Sequence, residues 1–290
     1  MQAIFRPHSL QQRFTWFMIL PVTLLLIGMG IAGFFYARDL LLDQWREAAI
    51  LKLQRASHEV DMRLGRIKEW IQLFYEGSGS VHSDAFHAWV LEQLAKQEGV
   101  LDITITWNTP EDRTGEGSQT PPLTGRGRPG MGQQLQKRQL HSSRIREITP
   151  PRFDAGGEHG TVTLISDLND INGRTLGHLD TLVDFNFIFR HVKESGWWQS
   201  SKAFLVDGRG EILVCTVPGR HGNLADTQDP LERETLKAMA LASNGTLRGP
   251  GHPPDEVSGF YHLQEAPWVL VIIAPGSEIL APVIQLRTLT

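Results

Sequence analysis

The chain opens with an unbroken apolar run and then changes period. Phe14 to Tyr36 contains no charged side chain. At about 1.5 Å of rise per residue, a helix there covers roughly 35 Å, enough for a bilayer core of about 30 Å. Only a helix satisfies its backbone groups in that setting. From 37 to 75 the apolar positions fall three and four apart: Trp45, Ala49, Leu53, Ala56, Val60, Leu64, Ile67, Ile71 and Phe74. Arg46, Glu47, Lys52, Arg55, Glu59, Arg63 and Lys68 fill the positions between them. This is one face of a long helix continuing from the apolar run, and Gly77-Ser78-Gly79-Ser80 ends it. The stripe serves either as a packing face for the helix's own domain or as a dimer seam, and periodicity leaves both open.

Beyond it the pattern alternates between helix and strand. Ser83 to Gln97 reads as a helix with a Ser83 or Asp84 cap, a stripe of Phe86, Trp89, Val90 and Leu94, and Gly99 beyond its end. Leu101 to Trp107 alternates, with Ile103, Ile105 and Trp107 on one side and Thr104 and Thr106 on the other, as in a half-buried strand. Residues 108–135 are rich in Pro, Gly and polar side chains and read as a long loop. Strands follow at 161–165 and 176–185 around a turn at 169–173, then a short helix over 185–192. A second unit begins near Lys202. Its strands at 203–206 and 211–214 flank Asp207-Gly208-Arg209-Gly210, a hairpin turn. A helix runs from Pro230 to about Ser243, capped by Asp229 and stopped by Gly245, and strands follow at 257–263 and 268–274. Strand–strand–helix–strand–strand with antiparallel pairing is an α+β unit of the PAS-like kind.

A length of 290 residues fits about two folded units. With 41% hydrophobic and 21% charged residues, the chain can bury ordinary cores. A net charge of -4 gives no electrostatic reason for a nucleic-acid partner. The one cysteine, Cys215, excludes an intrachain disulfide, a Cys-rich metal site and a haem attachment motif. Arg6 and Arg13 precede the apolar run, and no acidic residue appears before Asp39. The N-terminus is therefore expected in the cytoplasm and everything after Arg38 across the membrane. The run is longer than a signal-peptide core of about 7–15 residues. It also ends in Phe34-Phe35-Tyr36, not a small-x-small site, which favours an uncleaved anchor.

Catalytic and nucleotide motifs fail on inspection. Ser57-His58-Glu59-Val60 starts like a phosphoacceptor box, but Asp61-Met62-Arg63-Leu64 does not continue it. H-E-x-x-H would need histidine at Met62. Gly125, Gly127 and Gly130 match a dinucleotide fingerprint, yet no strand precedes them and Pro129 spoils the helix. Asp154-Ala155-Gly156-Gly157 reads as a turn. His82 and His87 lack i,i+4 spacing, and no nucleophile elbow is present. We therefore expect no enzyme, cofactor or metal.

Several segments resemble the double Cache sensor domains of transmembrane receptors. These are the anchor running into a long helix, "GTVTLISDLNDINGRTLGHLDTLVDFNFI" at 160–188, "AFLVDGRGEILV" at 203–214 and "APWVLVIIAPGSEI" at 266–279. The resemblance implies an α+β chain of two stacked PAS-like modules with antiparallel sheets. Its parts are a cytoplasmic 1–13, a transmembrane helix 14–36, a signalling helix 37–80, a membrane-distal module 81–198 and a membrane-proximal module 199–280. Residues 281–290 would start an exit segment towards a second transmembrane helix, so the chain reads as the input half of a larger receptor. The implied function is sensing of a small solute, an organic acid or amino acid, by the distal module of a homodimer joined through the long helix at the inner membrane. Redox or metal sensing, or a tethered enzyme, is the alternative. The Arg-x-Trp-Tyr motif of amino-acid-binding members is absent from 130–160. Asp184 resembles the aspartate that grips a ligand amine. Trp107, next to the long loop, and Arg144 and Arg146, on one side of an extended segment, complete the expected binding residues, arginine being matched to carboxylate.

Overall fold

The computed structural model describes residues 10–76, 83–108, 140–154, 159–170, 172, 174–251 and 254–287. The 109–135 part of the expected loop falls outside them. One helix, α1 (Leu10–Glu76), carries both the apolar run and the striped segment after it without a break. Its residues 17–36 are exposed throughout and form a stretch apolar and long enough to cross a membrane. Below that stretch the expected stripe disappears into the chain's own core. Ala49, Leu53, Ala56, Val60, Leu64, Ile67, Ile71 and Phe74 are all 6% exposed or less. The stripe is a packing face, so a dimer contact along α1 has to use other residues.

Two five-stranded antiparallel sheets lie along α1. The first is built from β1 (Val100–Trp107), β2 (Leu140–Ile148), β3 (Arg152–Phe153), β4 (Gly160–Asp170) and β5 (Thr175–Asp184). Its order is β1-β5-β4-β2, with β3 beside β4. Helix α2 (Ser83–Ala95) precedes it. Helices α3 (Phe185–Glu194) and α4 (Gly196–Ser200) then lead to the second sheet. That sheet holds β6 (Lys202–Asp207), β7 (Ile212–Cys215), β8 (Asn244–Arg248), β9 (Glu256–His262) and β10 (Trp268–Pro275), in the order β7-β6-β10-β9-β8. Helix α5 (Pro230–Met239) covers its outer face, and α6 (Gly276–Arg287) leaves from β10 and packs on α1.

Local chemistry accounts for most boundaries. Asp207 accepts backbone N–H bonds from Arg209 and Glu211, both at 2.8 Å, and Gly210 takes a φ of 84° that only glycine adopts without strain. Asp229 caps α5 by accepting the Leu231 N–H at 2.9 Å, with Pro230 at the first helical position. This helix ends earlier than expected. The Leu241 N–H bonds the Ala238 carbonyl at 3.0 Å, a tightened last turn, and Leu241 is 88% exposed. Gly245 does not stop a helix; it lies inside β8, where a Cβ would meet the Phe260 ring at 2.9 Å. The sequence reading missed β8, as it missed β3.

One apolar cluster runs along residues 49–75 of α1 and joins the inner faces of both sheets. Asp61 on α1 accepts the backbone N–H groups of Gln264 and Glu265, and Lys68 pairs with Glu265 at 2.8 Å. The β9–β10 turn is thus tied to the same helix that backs the first sheet.

Candidate functional site

Strand alternation divides the first sheet into two chemically different faces. Val162, Leu164, Ser166 and Leu168 of β4 and Leu179, Thr181 and Val183 of β5 are buried on the α1 side. The intervening positions face away. In the ladder Asp167 stands opposite His178, Ile165 opposite Asp180, and Asp180 and His178 opposite Thr104 and Thr106. Side chains opposite one another share a face. Five polar side chains from three strands therefore meet on the side of the sheet away from α1.

Arg146 joins them from β2. The register slips between Ile145 and Glu147, so Arg146 is the extra residue of a bulge, a device that re-aims a side chain. Its guanidinium lies 3.5 Å from Asp167 Oδ1, which also lies 3.2 Å from His178 Nδ1. Asp180 sits one row further along. Its Oδ1 is shut off from solvent and has no hydrogen-bond partner among the described residues. Burial pushes the Asp180 carboxyl above the usual carboxylate range, against the opposing pull of His178 and Arg146. Among the described residues the group is thus a carboxylate oxygen without a donor, beside a guanidinium with one partial ion pair.

The four residues expected from sequence are not all on this face. Arg146 is there, and Arg144 stands opposite Asp167 in the backbone ladder. Trp107 pairs with Gly177 and packs against the core cluster on the α1 side, with Ile103 and Ile105. Asp184 caps α3: it ends β5 and accepts the Asn186 N–H at 2.8 Å. The sequence reading overlooked Asp167, His178 and Asp180. Their signal was the polar His178-x-Asp180 alternation against Leu179, Thr181 and Val183.

Among the described residues the second sheet shows no such face. Its side away from α1 is filled by Phe204, Val206, Phe260, Val269, Val271 and Ile273, under Leu231 and Met239 of α5 and Leu224. The charged residues at that module's edge are paired with one another. Glu232 is 2% exposed and bridges Lys202 at 2.6 Å and Arg220 at 2.9 Å. Among the described residues no group of three or more His, Cys, Asp or Glu side chains is placed to hold a metal ion.

No protein-family model matches the sequence, and no curated protein matches it. Solved structures do. The periplasmic sensory domain of the Campylobacter jejuni chemoreceptor Tlp1 is similar with a TM-score of 0.56 at 14% identity, over 83% of this chain and 99% of that one. The extracellular domain named for a histidine kinase, mmHK1S-Z3, gives 0.55 at 15% identity over 86% and 99%. The ligand-binding domain of Mlp24 with asparagine gives 0.50 at 14% identity over 85% and 98%. At such identities the likeness bears on the fold, and this chain has the fold of extracytoplasmic receptor sensory domains, the double Cache arrangement of a long helix backing two PAS-like sheets.

Proposed function

We propose that this chain is the ligand-sensing input region of a transmembrane signalling receptor, with its bulk outside the cytoplasm and its anchor in the inner membrane. The ligand is a small solute carrying a carboxylate, an amino acid or organic acid, bound on the polar face of the first sheet. The observation that carries this reading is the Asp180 carboxylate. It is half-buried, has an oxygen without a partner among the described residues, and lies within reach of the charges of Arg146 and His178. A buried acceptor without a donor is costly, and such groups gather at binding sites. An ammonium group beside Asp180 removes that cost, and a planar guanidinium at Arg146 suits the ligand's carboxylate. Arg144, opposite Asp167 in the backbone ladder, stays with these residues as a candidate. Asp184 and Trp107 support the site by fixing the start of α3 and backing the sheet. The asparagine bound by Mlp24, a protein of like fold, agrees with a ligand of this class.

Binding changes signalling only through a difference in affinity between two states of the receptor. The first sheet rests on α1, and α1 continues into the membrane-spanning stretch, so a shift of the sheet has a direct mechanical path. The test is thermal shift of the full chain in nanodiscs against the twenty amino acids and short mono- and dicarboxylates. A ligand at one hundred times its dissociation constant stabilises by about 2.7 kcal/mol. Arg146→Gln and Asp180→Asn proteins should fold and lose that response. A response undiminished in both variants refutes the site, and a screen without any stabilising solute refutes the ligand class.

A further inference from the structure

A groove lies outside this site, where α1 meets the connector between the sheets. It is an open groove of about 750 Å³ between residues 51–59 of α1, the end of α3 and the start of α4. Part of its lining is apolar: the exposed Leu51 and the buried Ala56 on one side, and Trp197 on the other. Trp197 is held edge-on against Trp198 at 5.7 Å, and Trp198 against Phe189 at 5.1 Å, so the indole wall is fixed by core packing. Lys52, Arg55, His58 and His191 line the rim, with Glu59 the one carboxylate among the lining residues.

Several other cations of the same helix have partners. Arg46 donates to Thr246 and pairs with Asp43, Arg63 donates to the Phe187 carbonyl, and Lys68 pairs with Glu265. Lys52 and Arg55 have no ion pair or hydrogen bond with any described residue. They stand three residues apart on α1, which places both on one face beside the cavity. Exposed charges alone hold an anion weakly in water, so a bare inorganic anion gains little here. A molecule that also lays an apolar body on Trp197 and Leu51 gains the burial as well.

We propose that this groove is a second ligand site, taking amphipathic monocarboxylates with the carboxylate at Lys52 and Arg55 and the apolar body against Trp197. It shares no residue with the Arg146–Asp180 face, so this inference does not rest on the first site. Ligand cavities favour junctions between folded units, and an occupant here ties α1 to the connector that joins the sheets.

Equilibrium dialysis of phenylacetate against the full chain in nanodiscs tests it, with inorganic phosphate as the control anion. The expected result is saturable binding of one phenylacetate per chain that equimolar phosphate does not displace. Lys52→Gln/Arg55→Gln should weaken it at least tenfold, whereas Arg146→Gln should leave it unchanged. Both charge changes lie on the exposed side of α1, so the double variant keeps its fold and the test stays decisive. Absence of saturable binding overturns the proposal, as does binding that survives the double substitution or is lost with Arg146→Gln.

Discussion

Replacing Trp268 with alanine tests whether one core truly joins the two sheets. Trp268 opens β10, is 1% exposed, and meets the Phe185 ring edge-on at 6.2 Å. Phe185 begins α3, the element that leaves the first sheet, and stacks on Phe189 at 5.2 Å. The indole therefore belongs to the cluster that spans α1 and both sheets. Phe260, also 1% exposed, belongs to the separate cluster under α5. Truncation of a buried Trp or Phe costs about 3–5 kcal/mol from lost transfer energy and the cavity left behind. Trp268 is nearly free of solvent and has an aromatic partner worth about 0.5–1.5 kcal/mol, which places it at the upper end, near 5 kcal/mol. For a folded region of this size each kcal/mol moves Tm by about 2–4 °C, so Trp268→Ala should melt roughly 10–20 °C lower. Phe260→Ala should lose a similar or smaller amount. The discriminating measurement is native-state hydrogen exchange. Trp268→Ala should lower amide protection in β5 and α3 of the first unit, and Phe260→Ala should lower it only around the second sheet. A Tm within 2 °C of the parent, or unchanged protection at 183–189 in Trp268→Ala, would show that the indole does not couple the sheets.

Other consequences follow from single groups. Glu232→Ala leaves Lys202 and Arg220 facing each other without their shared carboxylate, and urea unfolding should show a loss of about 3 kcal/mol. Because burial raises the Asp180 carboxyl, the folded state holds that proton more tightly than the unfolded chain. Stability from this group is therefore present at low pH and lost as pH rises through the folded value. Ligand-free Asp180→Asn should accordingly melt higher than the parent at neutral pH, with the gap closing on acidification; a lower melting point at pH 7 contradicts the desolvation account. Asp184→Ala removes the α3 cap and should cost about 1 kcal/mol, read as a shift of the denaturation midpoint. A periplasm-dependent reporter fused after residue 80 should be active, and a cytoplasm-dependent one silent; the reverse pattern overturns the orientation taken from Arg6 and Arg13.

The sequence by itself determined the elements whose period is local. The spacing from Ala49 to Phe74 identified the buried face of α1 correctly, because a helix repeats every 3.6 residues whatever lies beside it. Asp207-Gly208-Arg209-Gly210 and Asp229-Pro230 marked a turn and a helix start for the same reason: each is closed by hydrogen bonds within four residues. Alternation had already placed Trp107 with Ile103 and Ile105, and that pattern was a better guide to its surroundings than its nearness to the loop. What alternation leaves open is which face a neighbour covers and which strands stand side by side. Thr104 of β1, Asp180 of β5, Asp167 of β4 and Arg146 of β2 come from four separate segments, and only the register of three ladders and one bulge brings them together. Likewise, Gly245 reads as a helix stop in one dimension and proves to be clearance for the Phe260 ring in three. The polar face of the first sheet and the filled face of the second are decided by what packs across from each strand, α1 on one side and α5 on the other. That choice rests on contacts between residues more than two hundred positions apart, such as Asp61 with Gln264.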